Sequence, residues 1–206
     1  MPYRDDVHDG IPVPPKPWAY GDRFLRALNA AARMHAAQYR KGPPVPYVSH
    51  LLGTCAIALE YGADEDEAIA ALLHDAIEDV EPTNAARQTV ATFGDRVLAI
   101  VEGCTDSDRH PKPPWGERKA AFVAHFAHAD RSVLLVSASD KLHNARTIVA
   151  DLYRHGAVAW ERFTASPTET RGYYRALVEA FRAHPEHDVH LVNALDRAVT
   201  EMEQIG

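Results

Sequence analysis

The chain has 206 residues, 46% hydrophobic and 25% charged, with a formal net charge of −7. That length suits one domain, which buries roughly 70% of its unfolded surface and needs no disulfide or metal merely to fold. The acidic balance excludes a general nucleic-acid binder, and no stretch approaches the ~18 apolar residues of a membrane span.

Residues 1–17, "MPYRDDVHDGIPVPPKP", carry five prolines and little apolar periodicity. They read as an extended arm ahead of a domain over 18–206, and they contain no apolar signal core. "DRFLRALNAAARMHAAQYRKG" has Phe24, Leu25, Leu28, Ala31, Ala32 and His35 on one stripe, which predicts a helix stopped by Gly42 and Pro43. "SHLLGTCAIALEYG" predicts a second helix, stopped by Gly62. "ADEDEAIAALLHDAIEDVEP" predicts one continuous third helix, with Asp64 at its N-cap, Glu67 three residues on, and Pro82 closing it. Two shorter helices, "TNAARQTVATFG" and "GDRVLAIVEGCT", meet near Gly94, and the Pro-rich "DSDRHPKPPWG" is a loop. "ERKAAFVAHFAHA" is helical again. "RSVLLVSASDKLHNARTIVADLYRHG" is strand-like over Val133–Val136, but the long run of helix formers behind it favours a helix. "TETRGYYRALVEAFRAH" and "EHDVHLVNALDRAVTEMEQ" add two more. Strand-like alternation is almost absent, so the fold class is all-α. Cys55 and Cys104 are the two cysteines, with no CxxC pair, and read as buried thiols in a reducing cytoplasm.

"LLHDAIEDV" puts His74, Asp75, Glu78 and Asp79 directly behind an apolar run. On a helix, His74 shares a face with Glu78, and Asp75 with Asp79. Negative charge at a helix C-terminus opposes the macrodipole, so something positive should compensate. A divalent cation would, because imidazole and carboxylate together suit Mn²⁺, Fe²⁺ or Zn²⁺. A solvated acidic helix end is the plainer reading of these residues alone. His184, His187 and His190 recur every third residue, but no carboxylate matches them, and they read as a solvated helix start. His35 reads as packing or capping in the first helix, and His143 as packing beside Asp140.

Six segments occur in one order: "QYRKG", "PYVSH", "AALLHDAIEDV", "FGDRVLAIVEGCTD", "ERK" and "DKLHNART". Together they resemble the HD superfamily of metal-dependent phosphohydrolases. More narrowly, they resemble the hydrolase domain of RelA/SpoT-type alarmone enzymes and their small stand-alone relatives. The resemblance implies a multi-helix HD fold and one divalent metal, expected to be Mn²⁺, held by His50, His74, Asp75 and Asp140. It implies a catalytic acidic pair, Glu78 and Asp79, whose mutual repulsion would keep a proton on one of them near neutral pH.

The resemblance also implies substrate contacts. Arg40 would stack on a guanine, Asn144 would contact the nucleotide, Thr147 the ribose, and Tyr174 the base pocket. Lys41, next to Arg40, belongs to the same candidate set. Arg118 and Lys119 could neutralise distal phosphates. From the residues alone, Arg40 and Lys41 are basic side chains placed well against a helix C-terminus. The expected activity is hydrolysis of ppGpp or pppGpp to GDP or GTP and pyrophosphate, by a hydrolase without a built-in synthetase. Two alternatives stay open. One is another HD nucleotide phosphohydrolase, such as one removing the 2′-phosphate of NADPH. The other is a non-catalytic nucleotide sensor, which would have lost a ligand or the acidic pair. The partner is a small nucleotide, not nucleic acid or membrane, and the sequence leaves the oligomeric state open.

Overall fold

The computed structural model describes residues 21–42, 44–109 and 111–205, so the Pro-rich arm over 1–17 lies outside the described residues. Ten α-helices are found among the described residues: α1 Asp22–Met34, α2 Val48–Glu60, α3 Glu65–Leu73, α4 Ala76–Asp79, α5 Thr83–Ala91, α6 Asp95–Cys104, α7 Trp115–His125, α8 Arg131–His155, α9 Pro167–Ala183 and α10 Val189–Gln204. The described residues hold no strand, only an isolated bridge between Tyr39 and Pro46. The all-α expectation holds.

The 25-residue α8 is the spine, packed against α2, α3, α6 and α10. Every residue from Ser132 to Asp140 is buried. A helix enclosed on all sides is apolar on all sides, and this is why Val133–Val136 looked strand-like. Asp130 starts α8 by accepting the Ser132 backbone N–H at 2.8 Å. The α3 helix is equally enclosed, with Glu67 to His74 all buried among α1, α2, α6 and α8. Its reciprocal cap is formed as expected. Asp64 accepts the Glu67 N–H at 3.0 Å, and the Asp64 N–H donates to Glu67 at 2.8 Å. Such a cap contributes about 1 kcal/mol.

Two expected helices differ. The first ends at Met34 and does not continue to the basic pair. Ala36, Ala37 and Gln38 favour a helix, but tertiary contacts override that propensity. His35, 3% exposed, stacks on Tyr47 with ring centroids 5.2 Å apart, and the chain folds back through Arg40 N–H to Val45 O (2.9 Å) and Tyr47 N–H to Gln38 O (2.9 Å). Arg40 and Lys41 therefore sit on a hairpin loop rather than on a helix end. The third helix is broken into α3 and α4 at His74–Asp75. Asp75 has φ −94° and ψ −1°, in the sparsely populated bridge region that interrupts the helical ladder.

Where α6 crosses α8, Gly103 faces Val133, and a Cβ built there would lie 2.6 Å from Val133 Cγ2. Gly103→Ala should therefore lower stability by about 1–3 kcal/mol, as over-packing does, despite alanine's better helix propensity. Chemical denaturation checks it; an unchanged or raised midpoint would show that the crossing has slack.

Candidate active site

His50 comes from the first turn of α2, His74 and Asp75 from the α3–α4 break, and Asp140 from the middle of α8. The break turns Asp75 toward the two imidazoles. His50 Nε2 lies 3.2 Å from His74 Nε2, 3.1 Å from Asp140 Oδ1 and 3.3 Å from Asp75 Oδ2. His74 Nε2 lies 3.1 Å from Asp75 Oδ2 and 3.6 Å from Asp140 Oδ1. Among the described residues, His50, His74 and Asp140 form a buried cluster whose ligand atoms all fall within 4.8 Å of one another. Asp75 adjoins that trio through Oδ2.

These spacings fit a cation. Donors about 2.1 Å from a six-coordinate ion stand about 3 Å apart at neighbouring corners. The proton on His74 is also placed for it: Nδ1 is 2.8 Å from the Ala71 carbonyl, which only accepts, so Nδ1 keeps its hydrogen and Nε2 can offer a lone pair. The local field favours positive charge. Burial opposes the charged form of His74, yet the Asp75 carboxylate and the hydrogen bond with Asp140 hold that imidazole well above its ordinary value. Burial would likewise raise Asp140, but the Lys141 ammonium, with His50 and His74, holds it well below the usual carboxylate range. A divalent cation answers the same field, with neutral imidazole and carboxylate donors of the type that Mn²⁺ and its neighbours accept.

The cluster forms the floor of a cleft of about 620 Å³. That volume suits a nucleotide-sized ligand. Arg40, Lys41, His50, Asp75, Glu78, Asp79, Lys119, Asp140, Asn144, Thr147 and Tyr174 all line it, and His74 sits beneath. Eight lysines and arginines line the cleft against five carboxylates, so an acidic chain carries a locally basic pocket.

Glu78 and Asp79 project from α4, and Lys112 lies within ion-pair reach of both, 2.8 Å from Glu78 Oε1 and 3.7 Å from Asp79 Oδ1. Glu78 accepts from Lys112 at 2.8 Å, while Asp79 accepts from the Gln38 amide at 2.8 Å. The Glu78 carboxyl is pushed up by burial, then by Asp106 and Asp75, with Lys112 opposing. Asp106 and Asp75 are the leading carboxylates acting on it. Arg40 donates to Asn144 at 2.5 Å and lies 5.6 Å from the Tyr47 ring centroid. Asn144 in turn donates to Asp140 at 2.5 Å. Thr147 donates to the His143 carbonyl at 2.9 Å. Lys119 bonds Asp106 and lies 5.0 Å from the Tyr173 ring centroid.

Residues 27–165 match the family described as HD domain. The chain belongs to the HD domain family. It is 39% identical over 128 residues to the guanosine-3′,5′-bis(diphosphate) 3′-pyrophosphohydrolase MESH1 of Xenopus tropicalis, a stretch covering 61% of this chain and 69% of that protein. The human MESH1 is 36% identical over 129 residues, covering 61% and 69%. In three dimensions this HD domain is similar to a solved metazoan ortholog of SpoT that hydrolyzes ppGpp and plays a role in starvation responses. The TM-score is 0.74 at 25% identity, covering 92% of this chain and 99% of that one.

Several site residues of this HD domain escape a reading of the sequence. Tyr47 donates to Asp75 Oδ2 at 2.7 Å, with its phenol pushed well up by burial and by the Asp75 and Asp79 carboxylates. Lys141 pairs with Asp140 at 2.5 Å. Asp106 anchors both Arg118 and Lys119. The Asp106 carboxylate is held below its usual range against burial, chiefly by Arg118 and Lys119. Its place at the end of "GCTD", before a basic "ERK", was the available signal. His143 faces His50 and does not simply pack beside Asp140; their Nδ1 atoms are 2.9 Å apart. The His184 repeat forms no ligand cluster among the described residues. His184 is 8% exposed and accepts the Glu186 N–H at 3.2 Å, so it closes α9 and is not a solvated residue.

Proposed function

We propose that this HD domain hydrolyses the 3′-diphosphate of guanosine 3′,5′-bis(diphosphate), adding water across the 3′ O–P bond to give GDP and pyrophosphate. With pppGpp the products are GTP and pyrophosphate. The observation that carries this reading is the convergence of His50, His74, Asp75 and Asp140 on the floor of a cation-rich cleft of nucleotide size. The named activity of the MESH1 relatives supports it.

In this proposal His50, His74, Asp75 and Asp140 hold one divalent ion, and Mn²⁺ is the ion proposed. When bound, such an ion supplies Lewis-acid polarisation of a phosphoryl group and acidifies a water at neutral pH. Tyr47 and Lys141 fix the two carboxylates by donating to them. Glu78, with its raised pKa, holds a proton for the leaving 3′ oxygen, and Asp79, oriented by Gln38, takes the complementary acceptor role. Arg40 offers a guanidinium plane to a base, fixed at one edge by Asn144, and Tyr174 adds an apolar wall. Asn144 and Thr147 face the ribose. Lys119, with Arg118 and Lys41, meets phosphate charge. The buried, unbridged Cys55 and Cys104 fit a cytoplasmic setting. No helix among the described residues is long and apolar enough to cross a membrane.

The test is incubation with Mn²⁺ and, separately, ppGpp, pppGpp and NADPH. Pyrophosphate from the guanosine substrates is the expected result. Orthophosphate from NADPH, with no pyrophosphate from either alarmone, would replace the proposed substrate with the alternative one.

A further inference from the structure

We propose that His143 is a positioning residue for His50, and that residue 53 is glycine so that His143 can do this. The inference rests on the cation site proposed above. To present a lone pair at Nε2, His50 must carry its proton on Nδ1, and that N–H needs an acceptor. His74 meets the same need with a backbone carbonyl, Ala71 O. His50, in the first turn of α2, turns instead to a side chain on α8. The His143 Nδ1 is 2.9 Å away, with ring centroids 4.9 Å apart and planes at 48°.

A backbone carbonyl is fixed by its helix, but an imidazole must be held. Gly53 provides the seat. A Cβ built there would stand 2.2 Å from His143 Cδ2 and 2.3 Å from His143 Nε2. Only a glycine lets the ring approach the α2 backbone this closely. His143 also borders the open cleft, so the ring has room to swing away when it is pushed. A methyl group at 53 is therefore expected to displace the ring and leave the α2–α8 packing in place. Freed of its acceptor, His50 would lose its preferred tautomer and orientation. Loss of such an outer hydrogen-bond partner typically costs 10–100-fold in metal affinity.

The experiment is a titration of the metal-free full chain with Mn²⁺, read by loss of the free-ion paramagnetic resonance signal. Thermal unfolding of each metal-free variant is measured alongside. His143→Leu should raise the Mn²⁺ dissociation constant by about 10–100-fold. His143→Asn should stay near wild type, because its Oδ1 occupies the place of Nδ1 and accepts the same proton. Gly53→Ala should weaken Mn²⁺ as His143→Leu does, without a lower metal-free unfolding temperature, since the His143 ring can swing into the cleft it lines, which the buried Val133 opposite Gly103 cannot do. Wild-type Mn²⁺ binding in His143→Leu overturns the positioning role, as does equal weakening in His143→Asn. Wild-type protein that takes up no Mn²⁺ overturns the cation site itself, a result distinct from either.

Discussion

Glu78→Gln is expected to lower kcat by about 10²–10⁴-fold, the usual worth of a positioned acid or base, while the proposed Mn²⁺ still binds. Glu78 sits one residue-turn beyond the proposed ligands, on α4, and is not among the atoms that converge on His50 and His74. Glutamine keeps the shape and an oxygen for Lys112, so the Glu78–Lys112 contact at 2.8 Å loses charge but not its acceptor. What glutamine cannot do is exchange a proton. The sign of the pH effect follows from the direction of the shift. Burial, Asp106 and Asp75 raise the Glu78 carboxyl, so its protonated form persists to higher pH than an ordinary glutamate's. If it acts as the acid, kcat falls as pH rises through that raised value, and the substitution flattens this alkaline limb. Steady-state kinetics across pH, with metal content by elemental analysis, checks both parts. Full turnover in the variant would remove Glu78 from the proton path.

Asp140→Ala is expected to have the second large effect, on metal and fold together. Asp140 is 5% exposed and meets His50, His74, Lys141 and Asn144. Its removal takes away one proposed ligand and strands the Lys141 ammonium, whose side chain is 13% exposed, without its carboxylate. Breaking a buried ion pair from one side costs about 3–5 kcal/mol. Metal content should drop to background, and the denaturation midpoint should fall. Asp140→Asn separates the two effects. It keeps an acceptor for Lys141 and should fold with a smaller loss, yet still bind Mn²⁺ poorly. An unchanged metal content in the asparagine variant would refute the ligand role.

Most helices were legible because each carries its own punctuation. The Asp64–Glu67 cap and Gly94 before α6 mark boundaries that the structure keeps, while α7 begins at Trp115, two residues inside the expected Pro-rich loop. The failures share one cause, the override of local propensity by distant contacts. Nothing near Met34 announces a helix end; the stop comes from Tyr47 under His35 and from Asp79 beyond Gln38. Nothing in "LLHDAIED" announces the break at Asp75, which faces His50 from another helix.

The candidate site shows the same split. Ordered motifs pointed to His50, His74, Asp75 and Asp140, and the structure brings all four together. The residues that hold them were hidden. Tyr47 and His143 look like packing residues, and Asp106 looks like a solvated loop charge, until the fold sets α2 against α8 and brings Lys119 of α7 onto Asp106. The basic character of the cleft was hidden too, because a net charge of −7 averages over the whole surface.

The most direct measurement of the central claim is a crystal structure with Mn²⁺, located by its anomalous scattering. One strong peak should appear beneath the cleft, within about 2.0–2.6 Å of His50 Nε2, His74 Nε2 and carboxylate oxygens of both Asp75 and Asp140. A peak elsewhere, or an ion in the cleft with Asp140 beyond bonding reach, would contradict it.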